Sequence, residues 1–185
     1  MTGEATRDRL LDAAADLFYR EGVGVGVEAL SRAAGVSKRS MYQLFGSKDE
    51  ILAAGLDRVG PAFTAYLLPA AGDESSHRER ILHVFRRFEE TSAAPGFQGC
   101  PMVAVSVEVK APEHPARLVA RRYKDQLTAF FRAEAEQGGA AHPERLARQL
   151  TMTFDGASAW AVMHGEAPDA VEMATVLLDA AGVEG

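Results

Sequence analysis

The sequence predicts an all-α protein, built as a three-helix N-terminal module followed by a larger helical domain. Three observations predict it. Apolar residues recur at helical spacing through nearly the whole chain. The best strand-like alternation is the single stretch Met102–Val109. Helix starts and stops are marked along the chain by serine capping boxes, glycines and prolines. The chain has 185 residues, 47% apolar and 25% charged, enough for one ordinary domain or a small module fused to a larger one, and too apolar for disorder. No apolar run approaches the roughly 20 residues of a membrane helix. Residues Met1–Asp8 carry acids and no apolar stretch, unlike a secretory signal. The lone Cys100 excludes an intramolecular disulfide and a multi-thiolate metal site. A soluble cytoplasmic protein with no membrane partner is expected.

The first helix is expected over Glu4–Arg20, where Leu10, Ala14, Leu17 and Phe18 share one face. The stretch Gly22-Val-Gly24-Val-Gly26 ends it, because each glycine costs about 1 kcal/mol relative to alanine in a helix. A short second helix fits Val27–Ala34. Gly35-Val36-Ser37 is a turn, with a glycine free to take positive φ and a serine able to cap the next helix. The third helix fits Lys38–Phe45, with Met41 and Phe45 inward and Val36 packing from the turn. Ser47 and Glu50 form a capping box that opens a fourth helix running toward Leu68, with Pro61 a site for a kink. Ser76 and Glu79 repeat the box and open a helix whose inward face is Ile81, Val84, Phe85 and Phe88. The Val-rich run fits a helix over Cys100–Lys110. Three further helices fit Ala116–Gln137, Pro143–His164 and Pro168–Ala181, the last two with proline in the first turn. The expected organisation is a helical module over residues 1–46 and a second domain over 47–185, with 47–68 a connecting helix.

Net charge is −6, but the distribution is uneven. Residues 31–48 carry Arg32, Lys38, Arg39 and Lys48 and no acid. A local basic patch on an acidic body suits a small nucleic-acid reader carried by a larger domain. Two short helices joined by a three-residue glycine turn have the layout of a helix-turn-helix. The second helix of such a pair offers its N-terminal residues to the major groove. Here these are Lys38, Arg39 and Ser40, followed one turn later by Tyr42 and Gln43, with Ser37 at the cap. Lys and Arg suit phosphates or guanine edges, Gln suits adenine, and Ser and Tyr hydroxyls suit phosphates. Lys48 stands in the first turn of the fourth helix, where free N–H groups also favour an anion. Any one of these residues alone is as consistent with an ordinary solvated surface; the conjunction of all of them points to DNA.

Residues 10–52 resemble the DNA-binding domain of the TetR family of bacterial transcriptional regulators. The resemblance is carried by Leu10-Leu11-x-Ala13-Ala14-x-x-Leu17-Phe18, Gly22, Leu30-Ser31-Arg32-Ala33-Ala34-Gly35-Val36-Ser37, and Met41 through Leu52. It implies that Tyr42 and Lys48 clamp phosphates and that Lys38, Arg39, Ser40 and Gln43 face the groove. Gln43 stands where the family often has His, Arg39 where it often has a small residue, and Gly26 where it commonly has a capping Thr or Ser. Gly99-Cys100-Pro101-Met102 with the adjoining Val-Ala run and Glu108 is similar to a segment that begins a ligand-domain helix in one branch of the family. The resemblance further implies a helical C-terminal domain that binds a small molecule, and last helices that pair with a second subunit as a four-helix bundle.

Aromatic and Met residues are plentiful after residue 60. Phe63, Tyr66, Phe85, Phe88, Met102, Tyr123 and Trp160 are the candidates to line a site for a small hydrophobic effector, although each alone is more often core. One helix-turn-helix supplies few contacts, so a homodimer on palindromic double-stranded DNA is expected. Gly156, Ala157, Trp160, Leu177, Leu178 and Ala181 are the candidate interface residues, with an intramolecular core the plainer use for them. The Gly22–Gly26 stretch is rejected as a dinucleotide loop, since no strand precedes it and the third spacing differs. Cys100 is read as a small buried residue, with a nucleophile or redox role as the rival. The histidines lack metal-ligand spacing, so neither metal nor cofactor is expected. The expected function is a ligand-responsive DNA-binding regulator, most simply a repressor. The alternative is a helical binding protein or enzyme using Cys100, whose basic module contacts a protein.

Overall fold

The computed structural model describes residues 3–166 and 168–184; residues 1, 2, 167 and 185, which the expected N-terminal stretch and domain limits include, lie outside them. No strand occurs among the described residues. The helices are α1 (Gly3–Glu21), α2 (Val27–Ala34), α3 (Lys38–Leu44), α4 (Lys48–Leu67), α5 (His77–Ser92), α6 (Pro101–Glu108), α7 (Pro115–Gln137), α8 (Pro143–His164) and α9 (Ala170–Ala181). The Val-rich run is helical, as expected, and shorter than Cys100–Lys110 at both ends. One expected boundary needs correction. Pro168 is not in the first turn of α9, because Asp169 comes after it with ψ 54 and is the N-cap of a helix that starts at Ala170.

Packing divides the chain into two units, Met1–Pro61 with Pro101–Arg122, and Ala62–Cys100 with Tyr123–Gly185. These packing units are cut differently from the functional division expected at residue 46. The first unit takes in the N-terminal part of α4, all of α6 and the start of α7. In it, the apolar face of α1 (Leu10, Ala14, Leu17 and Phe18) is buried, as are Leu30 of α2, Met41 of α3 and Ile51 of α4. Arg58 of α4 reaches Asp8 and Asp12 of α1 at 3.0 and 2.5 Å. Those exposed pairs add little stability; the apolar burial holds the unit.

In the second unit, α5, α8 and α9 pack on one another. Its centre is aromatic. Phe85 stacks on Phe131 with centroids 5.6 Å apart, and Phe154 meets Phe85 and Phe88 at 6.4 and 4.9 Å. Ser76 caps α5 by accepting from the Glu79 N–H at 3.3 Å. Glu79 does not return the bond as the capping box predicts; its carboxylate accepts from Arg86 at 2.8 Å.

Candidate nucleic-acid interface

The turn between α2 and α3 is fixed from both sides. Gly35 sits at φ 61, ψ 36, the left-handed conformation that a helix end demands and that side chains disfavour. The Val36 N–H donates to the Ser31 carbonyl at 3.0 Å, and the Ser31 hydroxyl donates to the Val36 carbonyl at 2.5 Å. Val36 itself is buried, so the turn is pinned to the core. Ser37 then caps α3: its Oγ accepts from the Ser40 N–H at 3.1 Å and lies 2.9 Å from the Ser40 hydroxyl. With Met41 fully buried and Phe45 nearly so, the rotation of α3 is set. Ser37, Lys38, Arg39, Tyr42 and Gln43 are exposed, and Ser40 is half-buried beside them.

Charge on this surface is arranged in ways the sequence did not announce. Lys38 pairs with Glu28, at the start of α2. The direct hydrogen bond from Lys38 holds the Glu28 carboxyl below its ordinary value. Lys48 is half-buried at the N-terminus of α4, and its ammonium donates to the Val23 carbonyl at 2.8 Å. An ammonium has three protons, so two remain for an outside acceptor. The side chains of Arg39, Tyr42 and Gln43 make no hydrogen bond or ion pair among the described residues, and Tyr42 is 49% exposed. Glu28 and Val23 had no local signal, since each meets its lysine only through the fold.

At the start of α4, Ser47 Oγ accepts from the Glu50 N–H at 3.1 Å, as the capping box predicts. Glu50 reaches back one residue further than the motif requires, to the Gly46 N–H at 2.8 Å. Gly26 is the N-cap of α2, at φ −79 and ψ 156 and with no side chain to cap it. A Cβ there would meet only the Glu28 carboxylate, at 3.7 Å. Serine therefore fits without strain, and Gly26→Ser is expected to raise stability by a few tenths of a kcal/mol, read as a small upward shift in a denaturant midpoint.

The residues expected to line an effector site do not all come together. Phe63 and Phe88 line a small apolar cavity in the second unit with Leu67, Phe97, Cys100 and Phe154. Phe85 lies deeper, in the aromatic cluster. Tyr66 is exposed, its ring covered by the Arg87 guanidinium 3.9 Å from the centroid. Tyr123 is half-buried, and Met102 is buried within the first packing unit. Trp160 is exposed, its ring tilted against that of His164 with centroids 4.0 Å apart. The cavity holds about 10 Å³, against about 300–1,000 Å³ for a typical ligand pocket. Cys100 is buried, and its N–H donates to Ser158 Oγ at 2.7 Å.

Two residues expected at a subunit interface are turned inward. Leu178 is fully buried within the chain and Ala157 nearly so, because α8 and α9 use those faces to pack on each other and on α5. The faces left outside carry two others of the expected residues, Gly156 and Trp160. On α8 those faces are Met152, Gly156, Ala159, Trp160 and Met163; on α9, Met173 and Val176, with Leu177 and Ala181 half-buried.

Residues 10–54 match the profile of bacterial regulatory proteins of the tetR family. A crystal structure from Streptomyces avermitilis, assigned as a TetR transcriptional regulator, is 57% identical, covers 97% of this chain and 99% of its own, and superposes with a TM-score of 0.94. SCO4454, a TetR-family regulator from Streptomyces coelicolor, is 24% identical over 97% of each chain, with a TM-score of 0.85. Reduced NemR from E. coli shares the fold at 24% identity, with a TM-score of 0.80 over 94% of this chain and 95% of its own. No curated protein matches. The helix-turn-helix fold and these similarities define a helix-turn-helix transcriptional regulator. The chain belongs to the TetR family. No described helix is long and apolar enough to cross a membrane.

Proposed function

We propose that this regulator binds a palindromic operator as a homodimer and is released from it by a small hydrophobic effector, acting as a repressor rather than an enzyme. The observation that carries the DNA reading is α3, with Met41 locked inward and Lys38, Arg39, Tyr42 and Gln43 facing out. In this reading Ser37, Ser40, Tyr42 and Lys48 hold phosphates, while Arg39 and Gln43 reach base edges and Lys38 serves either. Lys38 must leave Glu28 or share it, and that exchange of one charge partner for another tempers its contribution.

The outward apolar stripes on α8 and α9 support the dimer. Met152, Gly156, Ala159, Trp160 and Met163 recur at helical spacing, and the small residues allow close approach of a second helix. The cavity beside Phe63, Phe88 and Cys100 supports the effector site, with growth of the cavity as part of binding. The effector acts by linkage: to weaken operator binding tenfold it must prefer the released arrangement by about 1.4 kcal/mol.

Anisotropy titrations on duplexes from the DNA flanking the gene test the reading. Affinity is expected to fall steeply with salt. Tyr42→Ala and Lys48→Ala are expected to weaken binding alike on all sequences. Lys48→Ala, which removes a cation, is also expected to flatten the salt dependence by roughly 1 per phosphate left unneutralised. Arg39→Ala and Gln43→Ala are expected to cost about 1–3 kcal/mol on the preferred site and to relax its sequence preference. Parental affinity in the Tyr42 and Lys48 variants would remove these residues from the interface.

A further inference from the structure

We propose that Glu108 is a positioning residue for DNA binding, holding Lys48 in place through the backbone of Val23. The proposal rests on the DNA-binding reading of Lys48. Its starting point is the glycine stretch between α1 and α2. Gly22, Gly24 and Gly26 alternate there, so the loop has little conformational preference of its own and depends on its contacts, the buried Val25 side chain among them. Val23 takes the two charged side chains among those contacts. Its N–H donates to Glu108 Oε2 at 2.9 Å, and its carbonyl accepts from Lys48 Nζ at 2.8 Å. Both backbone groups of one loop residue are thus gripped by charged side chains from elsewhere in the same packing unit, one from α6 and one from α4.

Two further facts assign Glu108 to this task. It is the last residue of α6, where the helix dipole disfavours a carboxylate, and it forms no ion pair among the described residues. The one hydrogen bond of its carboxylate there is from the Val23 N–H. Gly22 is shaped to receive it: φ is 80, and a Cβ at this position would stand 2.8 Å from Glu108 Oε2. The carboxylate fills the space left by the missing side chain. The stretch that resembles a phosphate-binding glycine loop therefore binds a carboxylate from the protein itself.

The consequence falls on Lys48. A lysine side chain is flexible, and a phosphate contact requires its ammonium to stay at one place. The Val23 carbonyl provides that anchor only while the loop is fixed. Removing the Glu108 carboxylate frees the Val23 N–H, lets the glycine-rich loop move, and takes the anchor from Lys48.

The test compares the parent chain with Glu108→Ala, Glu108→Gln, Lys48→Ala and the Glu108→Ala/Lys48→Ala double variant on a labelled mixed-sequence duplex over a salt series. Glu108→Ala is expected to weaken binding by about three- to tenfold and to lower the salt slope by roughly 1 per subunit, as Lys48→Ala does. The double variant is expected to be no weaker than Lys48→Ala, because the two residues act in series. Glu108→Gln keeps an acceptor for the Val23 N–H and is expected to bind like the parent. Parental affinity and slope in Glu108→Ala, or independent losses that multiply in the double variant, would overturn the proposal. Should Glu108→Ala not fold, hydrogen exchange at the Val23 amide of the parent decides: slow exchange supports the proposal, and the rate of an open loop ends it. A parent that binds no duplex at any salt fails at the DNA reading itself, and the inference falls with it.

Discussion

Glu134→Ala is expected to lower the melting temperature by about 6–12 °C, from a loss of about 3 kcal/mol. Glu134 is 6% exposed on α7. Its carboxylate accepts from Arg80 at 3.0 Å and lies 2.8 Å from His77 Nδ1, both on α5. Removing it strands the Arg80 guanidinium, whose side chain is 20% exposed and keeps, among the described residues, only the Asp73 carbonyl at 3.0 Å. A buried pair broken from one side costs more than the pair contributes, because the remaining charge stays desolvated. The partial exposure of Arg80 puts the cost at the low end of that class.

The same site sets a pH dependence. Burial pushes the Glu134 carboxyl up, but the hydrogen bonds from Arg80 and His77 and their charges outweigh it, and the group lies below its ordinary value. A carboxyl that ionises more readily when folded stabilises fully above its unfolded pKa, about 4.3. That stability is lost as pH falls from there through the lower folded value. The parent is therefore expected to lose melting temperature on acidification below about pH 4, and Glu134→Gln to lose less over the same interval. An equal acid response in the two proteins would show that other carboxylates govern it.

How far the sequence foretold these features depends on the range of the interactions. The bounds of α2 agree with expectation because Gly26 and Gly35 stand at its two ends, and both act through local backbone geometry. The Ser37, Ser47 and Ser76 caps are local for the same reason. Pro168 misled by two residues, since proline is as comfortable before an N-cap as inside the first turn. The inward face of α9 was not readable at all. Alanine, valine and leucine surround that helix, so periodicity could not choose Leu178 over Val176 for the core. Glu108 and Glu28 lay beyond reach for another reason. Their partners Val23 and Lys38 are distant in sequence, and a lone glutamate has no pattern that names a distant partner. The outward face of α3 was legible because its inward anchors, Met41 and Phe45, fix its exposed residues by phase alone.

Phe85→Ala is expected to cost about 3–5 kcal/mol, or roughly 6–20 °C in melting temperature. Phe85 is fully buried, and its removal ends both the stack on Phe131 and the edge-on approach to Phe154. The void it leaves adjoins Phe154, which also lines the small cavity with Phe63, Phe88 and Cys100. A dry apolar void of benzene size takes up benzene. Benzene is therefore expected to restore part of the lost stability in Phe85→Ala, about 1.4 kcal/mol at ten times its Kd. No recovery at any benzene concentration would mean that neighbouring rings had collapsed into the space. The parent protein is the informative control. Its cavity of about 10 Å³ is too small for benzene as it stands. A melting shift in the parent would require Phe63, Phe88 and Phe97 to part, and that is the motion an effector of the proposed kind must exploit. A parent unmoved by benzene and by larger aromatic probes would place the effector site elsewhere in the domain.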